Sequence, residues 1–318
     1  MENKPIIGIT IGDPNGIGPE IITKTLLSSE IRNICHPVVI GDMRIMNEIS
    51  VRLGVSLDFE GIIYNIENYS PSLLEFGTAK AEAGRAVVDY IKEAVRLASE
   101  GKIAAIVTAP VNKETLKMAG YSYPGHTELI AELTGTTDFG MMLVGGNLKV
   151  VLVTIHVPLK DVPYLIKKED VLRKIRLAHS SMRYFGIERP RVAVCGLNPH
   201  SGEGGIFGEE DRKEILPAVA LAKEEGIDAS GPLPPDTLFH KAYKGDYDVI
   251  VAMYHDQGLI PLKMLAFGKA VNVTLGLPII RTSVGHGTAY DIAGKGMADP
   301  TSLLEAIKLA VQMSRRSC

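Results

Sequence analysis

Short apolar runs alternating with longer helical patterns constrain this chain more than any other feature. Ile6-Ile7-Gly8-Ile9-Thr10, Ile103-Ala104-Ala105-Ile106-Val107, Val150-Val151-Leu152-Val153, Val192-Ala193-Val194-Cys195 and Val249-Ile250-Val251-Ala252 read as buried strands, too short for helices and almost wholly apolar. Amphipathic patterns lie between them. The clearest runs from about Lys80 to Glu100, with Val87, Ile91, Ala94, Val95 and Ala98 on one face, Thr78 as a cap and Gly101 at its end. The last begins at Asp299-Pro300, a capping residue followed by proline, and buries Leu303, Leu304, Ile307 and Val311. This alternation predicts an α/β architecture with largely parallel sheets. A length of 318 residues suits two domains, and the lack of a linker-like stretch favours interleaved ones.

Composition narrows the function. Hydrophobic residues make up 46% of the chain, enough for a large core, and the net charge of −3 argues against nucleic acid or a membrane surface as partner. No apolar run reaches the ~18 residues that a membrane helix requires, and the opening residues lack a signal-peptide layout. Cys35, Cys195 and Cys318 are odd in number and unpatterned, which fits reduced thiols in a cytoplasmic protein.

Three of the strand-like runs lead into a histidine: Thr-Ile-His156-Val-Pro, Asn-Pro-His200-Ser-Gly-Glu-Gly-Gly and Met-Tyr-His255-Asp-Gln-Gly. Strand ends are where α/β folds bind ligands. Three imidazoles there can hold a catalytic divalent metal with positions open to substrate, although each alone reads more readily as a hydrogen-bonded structural residue. Gly12-Asp13-Pro14-Asn15-Gly16-Ile17-Gly18-Pro19-Glu20 is a glycine-rich strand-to-helix turn without the spacing of a dinucleotide fingerprint. Thr108-Ala109-Pro110-Val111-Asn112-Lys113 is a cleft wall or a helix start. In Gly125-His126-Thr127-Glu128, Thr127 caps a helix or joins His126 in an anion pocket. Lys263, Asn272 and Arg281 together suit a phosphorylated or carboxylated small molecule. Gly285-His286-Gly287-Thr288-Ala289-Tyr290-Asp291 suits an adenosine, with Asp291 on the ribose, or a turn in which Thr288 and Asp291 form a capping box.

As a set, these motifs resemble those of the 4-hydroxythreonine-4-phosphate dehydrogenase family of vitamin B6 biosynthesis, over essentially the whole length. The family includes the paralogous D-threonate and D-erythronate 4-phosphate dehydrogenases, which Tyr-Pro-Gly-His126-Thr-Glu and Thr-Ala-Pro-Val-Asn112-Lys-Glu resemble. His286-Gly-Thr-Ala-Tyr-Asp291 is more distantly similar to the adenosine loop of isocitrate and isopropylmalate dehydrogenases. The resemblance implies two interleaved α/β domains with a cleft between them: 1–125 plus 270–318, with the cofactor loop, and 126–269, with the metal site and dimer interface. It implies a homodimer with divalent metal (zinc, cobalt, manganese or magnesium) on His156, His200 and His255, shared across the interface. It also implies substrate contacts at His126, Thr127, Lys263, Asn272 and Arg281, NAD at Gly285, His286, Gly287, Thr288 and Asp291, and catalytic roles for Asp236, Asp256 and Lys263. The activity implied is NAD-dependent oxidation of 4-phosphooxy-L-threonine to a 3-keto acid that loses carbon dioxide, or the equivalent oxidation of D-threonate or D-erythronate 4-phosphate. Gly285 stands where many relatives carry aspartate, which leaves a non-redox metal- and anion-binding protein as an alternative of another class.

Overall fold

A computed structural model describes residues 4–316, so Cys318 lies outside the described residues. The strands are β1 (Ile6–Thr10), β2 (His36–Gly41), β3 (Ile63–Asn65), β4 (Ala105–Thr108), β5 (Gly140–Gly145), β6 (Leu148–Leu152), β7 (Val192–Cys195), β8 (Ala229–Leu233), β9 (Val249–Ala252), β10 (Val271–Leu275) and β11 (Arg281–Ser283). The chain divides into two compact units, one reaching Thr137 and resuming over Leu277–Arg316, the other spanning Asp138–Gly276.

In the first unit the strand order is β3-β2-β1-β4-β11, and every pairing is parallel. Strands covered on both faces become apolar throughout, and Ile7, Ile9, Ile40, Ile106 and Val107 are fully buried. The helix Ala81–Ser99 buries Val87, Ile91, Ala94 and Val95, the expected stripe. Its cap differs from expectation: Lys80 precedes the helix with no side-chain cap, and Thr78 instead accepts from Asn15 Nδ2 through its carbonyl. Helix Thr301–Arg315 buries Leu303, Ile307 and Val311, and Asp299 Oδ1 accepts from the Thr301 backbone at 2.9 Å. Leu304 is only half-buried.

In the second unit the order is β10-β5-β6-β9-β7-β8. β5 pairs antiparallel with both β10 and β6, while β6, β9, β7 and β8 run parallel. Leu143, Val150, Leu152, Cys195, Ile250, Leu259 and Leu262 share one core, each contributing about 1.5–3 kcal/mol on full burial if aliphatic. The division falls elsewhere than the sequence boundaries at 125/126 and 269/270. Helix His126–Leu133 packs against Ala81–Ser99 and so lies in the first unit, and β10 joins the second sheet through β5.

Candidate functional site

Because β6, β7 and β9 run parallel, the loops bearing His156, His200 and His255 leave the same edge of the second unit's sheet. The His255 loop is tied directly to each of the other two. Thr154 Oγ1 donates to the Met253 carbonyl at 2.8 Å, and its backbone N–H donates to the same carbonyl. Gln257, buried, accepts from the Met253 N–H at 2.7 Å and donates to the Gly196 carbonyl at 2.8 Å. These bonds bring the His156 and His255 rings to 5.7 Å between centroids. Asp256 Oδ1 sits 2.7 Å from His255 Nδ1, so a proton held there leaves the Nε2 lone pair as the donor.

His200 is built differently. His200, Ser201 and Glu203 have φ of 53°, 54° and 40°, a left-handed conformation costing about 1–2 kcal/mol per non-glycine residue. Buried Asp211 holds the base of this turn, accepting from the backbone of Leu197 at 2.8 Å and of Asn198 at 3.1 Å. The His200 ring lies 6.2 Å from that of Phe207. Within one chain, no three or more His, Cys, Asp or Glu side chains gather as a metal site among the described residues. The donor chemistry of the His156–His255 pair still fits a divalent ion, with further ligands supplied from outside the pair.

Helix His255–Ala266 carries Lys263, which is exposed and lines a depression of about 540 Å³ with His255, Asp256, Ile260 and Met264. Asp236 is exposed at the start of helix Pro235–Tyr243, accepting from the Thr237 N–H. Asn272 lies on β10, and its Oδ1 is buried with no hydrogen-bond partner among the described residues.

The first unit holds Arg281, Thr127 and His126, three of the groups expected to contact substrate. Arg281 is buried on β11, donating through Nη2 to Thr108 Oγ1 at 2.6 Å and through Nη1 to Thr127 Oγ1 at 3.4 Å. Burial lowers its pKa to about 10 against the opposing pull of Glu128, so it remains cationic at neutral pH. Thr127 therefore meets Arg281 rather than capping helix His126–Leu133, whose N-cap is Gly125. Desolvation, then the charge of Arg281, hold His126 well below the usual imidazole pKa, against a backbone hydrogen bond with Ala109. The residue as a whole is only half-buried, but its Nε2 is fully buried with no hydrogen-bond partner among the described residues. A neutral imidazole beside a buried guanidinium suits an anionic, hydroxyl-bearing ligand. Asn112 Oδ1 accepts from the Glu114 N–H at 2.7 Å, the helix-start reading of its motif.

Residues 285–298 form turns and open loop with no helix among them, so the capping box expected of Thr288 and Asp291 does not form. Gly285, His286, Gly287 and Asp291 are exposed, while Thr288 is buried. The loop is instead braced by the Gly12–Glu20 turn, a role the sequence reading missed. Tyr290 Oη donates to Asp13 Oδ2 at 2.6 Å, the Ile17 N–H donates to the Thr288 carbonyl at 3.0 Å, and buried Glu20 accepts from the backbone of Gly296 at 3.2 Å and Ala298 at 2.7 Å. Desolvation raises the Asp13 pKa, opposed by its hydrogen bonds from Tyr290, Asn15 and Thr115.

A family model described as pyridoxal phosphate biosynthetic protein PdxA matches residues 33–310. The 4-hydroxythreonine-4-phosphate dehydrogenase of Geobacter metallireducens is 50% identical over 326 residues, covering 98% of this chain and 96% of its own. The D-threonate 4-phosphate dehydrogenase of Cupriavidus necator is 47% identical over 326 residues, covering 98% of each. Among solved structures, the 4-hydroxythreonine-4-phosphate dehydrogenase of Klebsiella pneumoniae is similar with a TM-score of 0.91 and 41% identity, over 98% of this chain and 100% of that one.

Proposed function

Since the chain belongs to the PdxA family of pyridoxal phosphate biosynthetic proteins, we propose that it oxidises 4-phosphooxy-L-threonine with NAD and a divalent metal, giving a 3-keto acid that decarboxylates to 3-amino-2-oxopropyl phosphate. It is an oxidoreductase acting on a CH–OH group, as its relatives' names state of them, and the non-redox alternative gives way to that. The observation that carries the substrate class is buried Arg281, seated on Thr108 and Thr127 beside neutral His126.

Arg281 holds the phosphate or carboxylate, with Thr127 supplying a polar contact, and Asn272 keeps the separate substrate-contact role expected of it. His126 Nε2 meets a substrate hydroxyl. His156 and His255 hold the metal and Asp256 orients His255. When bound, the metal would supply Lewis acidity at the alcohol and ketone oxygen, and NAD would supply the hydride acceptor. The hydroxyl proton leaves to a base; Lys263, Asp256 and Asp236 are the candidates. Lys263 shares the depression with His255, Asp256 is engaged at His255 Nδ1, and Asp236 is exposed. After the carboxylate leaves as carbon dioxide, the enolate takes up a proton. On the cofactor loop, Asp291 faces the ribose, where a carboxylate favours the 2′-hydroxyl of NAD over the 2′-phosphate of NADP.

A homodimer completes the metal site in this reading. Large apolar side chains are exposed around the histidines: Ile260, Met264 and Phe267 past His255, Val157 and Leu159 past His156, and Ile206 and Phe207 past His200. An exposed apolar surface of this kind favours a protein partner. Cys35 and Cys195 are buried free thiols, which suits a cytoplasmic location. Among the described residues no helix is long and apolar enough to cross a membrane.

A second reading, oxidation of D-threonate 4-phosphate, is favoured by the 47% identity to a dehydrogenase of that name. NADH formation from a panel of phosphorylated four-carbon acids, with and without added divalent metal, tests both. Absence of NADH from every member would overturn the reading.

A further inference from the structure

Asp13 is fully buried just past β1, yet it lies outside every contact assigned above to substrate, metal or cofactor. Its Oδ1 accepts from the Asn15 N–H at 2.9 Å, and its Oδ2 accepts from Tyr290 Oη at 2.6 Å and from Thr115 Oγ1 at 3.3 Å. Thr115 lies on helix Lys113–Met118, just after β4. The Asp13 carboxylate thus joins the 285–298 loop, through Tyr290, to the turn after β1 and to the helix after β4.

The loop needs such anchoring. It contains no helix, and Ala289 has φ of 41°, a conformation disfavoured for residues with a Cβ. Ile17 and Glu20 of the same turn hold it at Thr288, Gly296 and Ala298, while Lys24 Nζ donates to the Gly296 and Ala298 carbonyls and Ser302 Oγ accepts from the Gly285 N–H. Asn15 secures a further wall: its side chain accepts from Tyr69 Oη and the Glu75 N–H, its carbonyl accepts from Gly77, and the Tyr290 carbonyl would lie 2.7 Å from a Cβ at Gly77. The loop is held from two sides, while Asp291, the next residue after Tyr290, stays exposed.

We propose that Asp13 and Tyr290 are positioning residues that hold the 286–294 segment in its cofactor-receiving conformation before NAD arrives. This rests on the reading of that segment as the adenosine site. A ligand binds more weakly in proportion to the fraction of protein in the competent conformation. Removing the tyrosine hydroxyl lowers that fraction and leaves the loaded enzyme's chemistry alone.

The test uses the full-length Tyr290→Phe protein, with Asp13→Asn as a second variant that keeps the shape of the buried side chain. NAD affinity, steady-state kinetics and hydrogen–deuterium exchange of the cofactor-free protein are read together. Expected are an apparent NAD Kd weaker by about 10-fold, kcat at saturating NAD changed by less than about 2-fold, and faster exchange confined to residues near 286–298. Asp291→Ala serves as the marker for the underlying reading. If it loses NAD affinity and Tyr290→Phe does not, the positioning role is overturned and the adenosine site stands. If neither loses affinity, the adenosine reading fails and takes the proposal with it. A fall in kcat as large as the fall in affinity would also overturn it, because the tyrosine would then act in the chemical step.

Discussion

Asp256 Oδ1 lies 2.7 Å from Nδ1 of the adjacent His255, a pairing that leaves Nε2 as the imidazole nitrogen that would bind the proposed metal. Removing an orienting carboxylate of this kind costs about 10- to 100-fold in metal affinity. Asp256→Asn is therefore expected to weaken divalent-metal binding by that factor, and His255→Ala to abolish most of it. Calorimetric titration of metal-stripped protein checks both. Equal affinity in Asp256→Asn and the unmodified protein would mean that the carboxylate serves another purpose.

The His156 and His255 rings are neighbours in one chain, whereas the His200 ring lies against Phe207. If a partner subunit completes the site, His200→Ala and His255→Ala, each inactive alone, will complement when mixed. Random exchange leaves one intact site per heterodimer, so roughly a quarter of the activity should return. Activity that never rises above that of either variant would place all the ligands on one chain.

Arg281 reaches Thr108 and Thr127 through different nitrogens of one guanidinium. Lysine offers a single ammonium and cannot reproduce that fork. Arg281→Lys is expected to raise the KM for the phosphorylated substrate about 10- to 100-fold, the equivalent of one charged hydrogen bond of ~1.5–3 kcal/mol, with little change in the KM for NAD. A parallel rise in both constants would point to a general loosening of the unit.

His126 supplies a pH dependence. Burial and then Arg281 depress its folded-state pKa, so the unfolded chain, at about 6.5, takes up the proton first. Its contribution to stability is complete above that value and is lost as pH falls from there toward the folded pKa. His126→Gln should narrow the drop in Tm between pH 7.5 and pH 5. Unchanged separation of the two melting curves would show that His126 titrates alike in both states.

The α/β class was legible because buried parallel strands must be largely apolar, as β7 and β9 are along their whole length. The histidine loops were legible because polar, glycine-rich strand exits make poor core. Less visible were residues whose partners are distant in sequence. Asp13 meets Tyr290 277 positions away, and Asp211 supports the His200 turn from a separate segment. Gly258 read as part of a polar exit, yet it lies within helix His255–Ala266, where an added Cβ would come within 2.8 Å of Val150 and Leu152. The Thr127 cap failed because local spacing cannot reveal a competing tertiary partner, here Arg281, and the Thr288–Asp291 capping box failed because no helix follows it.

The most direct test of the central claim is a balance of products from 4-phosphooxy-L-threonine and NAD with added divalent metal. The account predicts NADH and carbon dioxide in equal amounts, lost on chelation and restored by metal, with D-threonate 4-phosphate turned over at a lower kcat/KM. Turnover of D-threonate 4-phosphate alone would move the protein to the second reading, and formation of no NADH from either acid would contradict the account.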